Sequence, residues 1–133
     1  DIIINMAKPF TLSLNYASLL QRVKEGYLIW IKIVPHIPRS ARFTAGARIE
    51  NKFLDLLELS YAAYFTDKAN KNEKISKCIF VLDTIKFLIS INWEAKFISH
   101  KQYEEIALNL SEIGKMFNGW RKGLDKKLPL DKK

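Results

Sequence analysis

Two histidines, one cysteine and fourteen carboxylates are the groups from which any covalent or metal chemistry of this 133-residue chain must be drawn. His36 stands beside Pro35 and His100 shortly before a helical run, so both belong to corners between elements. A metal centre inside a helical bundle needs inward-facing Glu-x-x-His spacings, and neither histidine follows a glutamate by three. Cys78 lies among Ile75, Ile79 and Leu82 with no adjacent base, the setting of a small core hydrophobe rather than a nucleophile. The glycines form no phosphate-cradling loop after a strand. Glu50 and Glu112 could serve as an acid–base couple, but carboxylates bordering a bundle core more often pair with arginine. The residue inventory therefore predicts no catalytic centre, no metal and no cofactor.

What the chain does have in surplus is positive charge. It carries 22 Lys and Arg against 14 Asp and Glu, a net charge of +8 and a pI near 9.6. The surplus is concentrated. Residues 22–48 and residues 115–133 each carry a net +5, while residues 49–114 carry −2 and residues 1–21 sum to zero. Uneven charge of this kind points to an anionic partner. The candidate contacts are Arg39, Arg42 and Arg48 in the first block, with Lys115, Arg121, Lys122, Lys126 and Lys127 in the second. Arginine suits phosphate because its planar fork matches the anion's geometry. No base-reading motif accompanies either block, so binding would follow charge and shape.

These side chains hang on helices. Tyr16, Leu19, Leu20, Val23, Tyr27, Trp30, Ile31 and Val34 recur at threes and fours, which predicts a helix over about 15–34. Pro35 must end or kink it, and Pro38 suits the first turn of the next. That second helix spans about 38–65, with Gly46, Ile49, Phe53, Leu56, Leu57, Ser60 and Tyr64 inward. Gly46 costs about 1 kcal/mol against Ala in mid-helix, a cost that close approach of a neighbouring backbone would offset. The polar run Thr66–Asn72 reads as a turn. A third helix follows over about 73–96, with Ile75, Cys78, Ile79, Leu82, Ile85, Leu88, Ile89 and Trp93 inward. Ser99 and Gln102 have the spacing of a capping box. Behind them Tyr103, Ile106, Leu110, Ile113, Phe117 and Trp120 mark a fourth helix over about 100–122, in which Gly114 permits a close crossing.

Four helices joined by short corners predict an all-α, up-down-up-down four-helix bundle over residues 14–124. Residues 1–13 read as a flexible tail and residues 125–133 as a basic one. Leu28, Ile29 and Ile33 on the first helix, and Val81, Phe87 and Ile91 on the third, fall outside a single apolar stripe. A helix that is apolar nearly all round is buried on more than one side, so these six residues are the expected interface of a homo-oligomer. One cysteine, and no apolar run of the roughly 18 residues a membrane helix needs, make a reducing cytoplasmic setting the expectation, with no membrane partner.

Three motifs in this order resemble the Avd family, the accessory variability determinants of diversity-generating retroelements. They are Pro38-Arg-Ser-Ala-Arg-Phe-Thr-Ala-Gly-Ala-Arg-Ile-Glu50, Ile98-Ser-His-Lys-Gln-Tyr103 and Glu112-Ile-Gly-Lys-Met-Phe-Asn-Gly-Trp120. Phe117-Asn118-Gly119 departs from the commoner Leu-Gly-Gly, and Ala45 replaces a commonly larger aliphatic. The resemblance covers about residues 16–124. It implies a barrel-like homopentamer of four-helix bundles that binds nucleic acid, RNA or DNA, and the retroelement's reverse transcriptase, in support of mutagenic cDNA synthesis. The same family includes four-helix proteins encoded in intervening sequences of large-subunit ribosomal RNA genes. That role, and a protein-only assembly module, are the alternatives.

Overall fold

The computed structural model describes the backbone of residues 14–131 and the side chains of residues 18–125, so the expected tail at residues 1–13 lies outside the described residues. Among the described residues the long elements are α1 (Leu14–Ile33), α2 (Ala47–Phe65), α3 (Lys68–Glu94) and α4 (His100–Asp131), with no strand. Each helix packs on the next and α4 returns against α1, which closes the up-down-up-down bundle expected from the sequence. No helix among the described residues is long and apolar enough to cross a membrane.

The core follows the periods read from the sequence. Val23 and Trp30 of α1, Phe53 and Leu56 of α2, Leu82 and Ile85 of α3, and Ile106 and Phe117 of α4 are all buried in one cluster. Each fully buried side chain of this kind contributes roughly 1.5–3 kcal/mol relative to exposure. Two placements differ from expectation. Trp93 is not inward: Asn92 takes the core-facing position and donates Nδ2–H to the Leu88 carbonyl at 2.8 Å. Trp93 is rotated one position outward and stacks on Tyr103 at 4.6 Å instead. Ile33, expected at a subunit interface, is only 3% exposed and belongs to the protomer's own core, because it follows the buried Trp30 by three residues and so shares the core-facing side of α1.

Helix ends explain the remaining differences. α3 begins at Lys68 rather than near 73, with Asp67 at its N-cap and the Asp67 carboxylate accepting from Asn70 Nδ2 at 2.9 Å. Side chains that hydrogen-bond locally suit a helix start as well as a turn. At the other end the Phe97 N–H donates to the Asn92 carbonyl and the Lys96 N–H to that of Trp93, both at 2.9 Å. This is a Schellman closure with Lys96, at φ 65°, in the position glycine usually holds. The capping box is present: Gln102 N–H donates to Ser99 Oγ at 3.1 Å, and Ser99 N–H to Gln102 Oε1 at 2.8 Å. α4 continues past Gly119 and Gly123 to Asp131, where about 1 kcal/mol per glycine is too little to end a helix.

One close crossing went unread in the sequence. Gly26 of α1 faces Asn109 of α4, a buried amide whose Nδ2–H donates to the Arg22 carbonyl at 3.0 Å. A Cβ at position 26 would overlap Asn109 Oδ1 and stand 2.9 Å from Phe53 Cε1.

Candidate nucleic-acid interface

The corner between α1 and α2 is tied together by the groups the sequence marked. After Ile33 the chain makes a 3-10 turn (Val34–His36), a one-turn helix (Arg39–Ala41) and a π turn (Arg42–Gly46) before α2. Pro38 sits at the N-cap with φ −50° and ψ 136°, outside the helix rather than in its first turn. The π turn was not foreseen. It is anchored by the buried Trp30, whose indole N–H donates to the Gly46 carbonyl at 3.0 Å. Gly46 itself is not a close approach. A Cβ there would meet Ile37 Cδ1 at 3.6 Å and Val34 Cγ1 at 3.7 Å, ordinary van der Waals distances.

Arg42 holds this corner rather than facing outward. Its Nε donates to the Ile37 carbonyl at 2.8 Å and its Nη2 to the Pro35 carbonyl at 2.7 Å. Thr44 Oγ1 adds a bond to the Ala41 carbonyl at 3.3 Å. Arg39 and Arg48, by contrast, are exposed. Among the described residues neither has a carboxylate within ion-pair distance. No acidic residue occurs from 26 to 49.

The second block lies at the far end of the bundle. Trp120 stacks on Tyr64 at 4.3 Å, Lys71 Nζ sits 5.7 Å above the Trp120 ring, and Asn72 Nδ2 donates to Asp125 at 2.9 Å. These contacts place the end of α4 beside the α2–α3 turn. Lys122 is exposed there, and Lys115 is exposed nearer mid-bundle, next to Gly114, where a Cβ would meet Leu82 of α3. Neither has an ion pair among the described residues, and Arg121 donates to Asn118 Oδ1 at 3.2 Å. Lys126 and Lys127 lie outside the described side chains. One protomer thus separates the two cationic blocks.

Arg22 shows what a satisfied cation looks like in this protein: Nη1 is 2.8 Å from Glu112 and Nε 3.6 Å from Glu25. Glu112 is therefore an arginine partner. Beside this pair runs an open groove of about 410 Å³ between α1 and α4, flanked by the exposed Leu28 and Leu108.

Of the expected interface residues, Leu28, Phe87 and Ile91 are exposed, while Ile29 and Val81 are half-buried against the core. Phe80 joins Phe87 and Ile91 at spacings of seven and four, an outward stripe on α3 opposite its core face. The sequence reading missed Phe80, although its spacing from Phe87 was the available signal.

Burial pushes the Cys78 thiol up to about 11, with the Ser60 hydroxyl beside it opposing only in part. A thiol so desolvated stays protonated, as a core hydrophobe does. His100 Nε2 lies 3.1 Å from Glu104 on the surface. Among the described residues no three His, Cys, Asp or Glu side chains gather where they could hold a metal ion.

The sequence family described as bAvd-like matches residues 19–124, a span that reaches into all four helices. No curated protein and no solved structure matches the chain.

Proposed function

Because the chain belongs to the bAvd-like family, we propose that it is a non-catalytic, cytoplasmic accessory protein of a diversity-generating retroelement. In this reading it associates with copies of itself, grips RNA or DNA phosphates, and docks the element's reverse transcriptase to support mutagenic cDNA synthesis. The observation that carries the reading is the set of exposed cations that have no carboxylate partner among the described residues, Arg39, Arg48, Lys115 and Lys122. Unpaired cations keep their full attraction for a polyanion, whereas a paired one such as Arg22 has spent it on Glu112.

The α3 stripe supports the self-association. Phe80 and Phe87 are 73% and 64% exposed, and apolar patches of this kind mark protein–protein surfaces. Oligomerisation also offers a way to join the two cationic blocks, since the end of one protomer can then neighbour the end of another. A five-membered barrel is the assembly the family resemblance favours.

The test is a pull-down of the cognate reverse transcriptase after nuclease treatment, run beside a mobility shift of labelled RNA and DNA. The reading expects both retention and shift. Retention without any shift would make the protein a protein-only assembly module. Loss of both would remove the accessory role. A coding position inside a large-subunit ribosomal RNA gene would point to the intervening-sequence branch of the family instead.

A further inference from the structure

Phe43 is 83% exposed, more than any other large apolar side chain among the described residues, and it does not lie on the α3 stripe. It sits inside the π turn at the corner. The α3 residues stand among charges of both signs, Lys77, Asp83, Lys86 and Glu94. Phe43 stands in a stretch, residues 26–49, whose charged residues are all basic. Arg39 precedes it by four residues, one helical turn. Arg48 follows by five, which is the same spacing once the extra residue of the π turn is counted: the Ala47 N–H reaches back to the Arg42 carbonyl. Arg39, Phe43 and Arg48 therefore share one outward edge, with Lys52 a further turn along.

The turn that presents the ring is fastened on both sides. Arg42 ties it to the Pro35 and Ile37 carbonyls, and Thr44 ties it to Ala41. An exposed aromatic ring on a fastened turn, with an arginine that has no ion pair among the described residues to either side, suits a ligand that offers an anion and a flat π-face together.

We propose that Phe43, flanked by Arg39 and Arg48, is a stacking platform for an unpaired base, so that the corner selects single-stranded over duplex nucleic acid. This rests on the nucleic-acid reading above and goes further, since cations alone do not distinguish the two forms. Bases inside a duplex are already stacked on one another and cannot cover the ring. Base–aromatic stacking tolerates any sequence because every base has a π-face, which agrees with the lack of a base-reading motif.

The experiment is fluorescence anisotropy of a labelled 20-nucleotide single strand and of its duplex. It compares the native protein, Phe43→Leu and the double variant Arg39→Glu/Arg48→Glu. Leucine keeps the apolar bulk and the charge but removes the π-face. At an exposed position it should leave the far-ultraviolet circular dichroism unchanged. The expected result is a loss of roughly 5- to 150-fold on the single strand for Phe43→Leu, with duplex affinity held within about twofold, and a loss on both ligands for the charge-reversed variant. Equal effects of Phe43→Leu on both ligands, or none on either, would overturn the proposal while leaving phosphate binding in place. So would a fall in light-scattering mass for Phe43→Leu with unchanged single-strand affinity, which would assign the ring to a protein contact. A native protein that bound neither ligand would overturn both this proposal and the reading it rests on.

Discussion

Replacing Gly26 with alanine tests how tightly α1 and α4 are pressed together. The added methyl would overlap Asn109 Oδ1 and lie 2.9 Å from Phe53 Cε1 and 3.2 Å from Asn109 Cγ. Neither neighbour is the free end of an exposed chain: Phe53 is fully buried and Asn109 is 6% exposed. To make room Asn109 must leave its rotamer and release the Arg22 carbonyl, which lies 3.0 Å from its Nδ2. Overpacking of a filled core costs about 1–3 kcal/mol, and the lost hydrogen bond about 1 kcal/mol. Alanine's better helix propensity returns about 1 kcal/mol. The net expectation is a loss of about 1–3 kcal/mol, read as a lower urea midpoint by circular dichroism at one fixed protein concentration. The double variant Gly26→Ala/Asn109→Ala should recover part of that loss, because trimming Asn109 removes the nearest clash, and contacting residues couple by about 0.5–3 kcal/mol. A Gly26→Ala protein as stable as the native one would show that the crossing has slack, and the packing argument would be wrong.

Three further outcomes follow from the same geometry. Gly46→Ala should be neutral or stabilising by about 0.5–1 kcal/mol, since the new methyl meets ordinary contacts and φ is −62°; a clear loss in urea melts would restore the close approach expected from sequence. Lys96→Gly should stabilise by about 1 kcal/mol in the same melts, because Lys96 holds a left-handed φ of 65° at the end of α3; no gain would mean that the strain is relieved elsewhere. The raised Cys78 value predicts a pH effect. The unfolded thiol ionises near its ordinary 9.0 while the folded one resists to about 11, so the stability it lends is intact below pH 9 and lost as pH rises between them. The native protein should therefore weaken more steeply over that window than Cys78→Ala, and parallel pH curves would refute the burial argument.

Much of the fold could be read because apolar side chains repeat at threes and fours on every helix. The capping box of Ser99 and Gln102 could be read because its two bonds are local. The misses are tertiary. Gly26 looks like any helical glycine until Asn109, more than 80 residues later, is placed against it. Ile33 is an exception: it follows Trp30 by three residues, so its place on the core face was legible in the helical period itself. The π turn is set by the bond from Trp30 to Gly46, which no local pattern announces. For the site, sequence could locate the cations but not rank them. Arg39 and Arg42 are three residues apart, and only the structure separates an outward arginine from one that staples a corner. Phe43 read as part of a motif; its exposure became apparent only with the turn that presents it.

The central claim is that the unpaired surface cations grip phosphates. The measurement that reaches it most directly is the affinity for a labelled RNA or DNA as salt is raised from low to physiological concentration. Each phosphate contact contributes a log–log slope of about −0.7 on single strands and about −0.9 on duplex. Arg39 and Arg48 alone should thus give at least about −1.4, and their change to glutamate should remove that share. No binding at low salt, or a flat slope, would contradict the account.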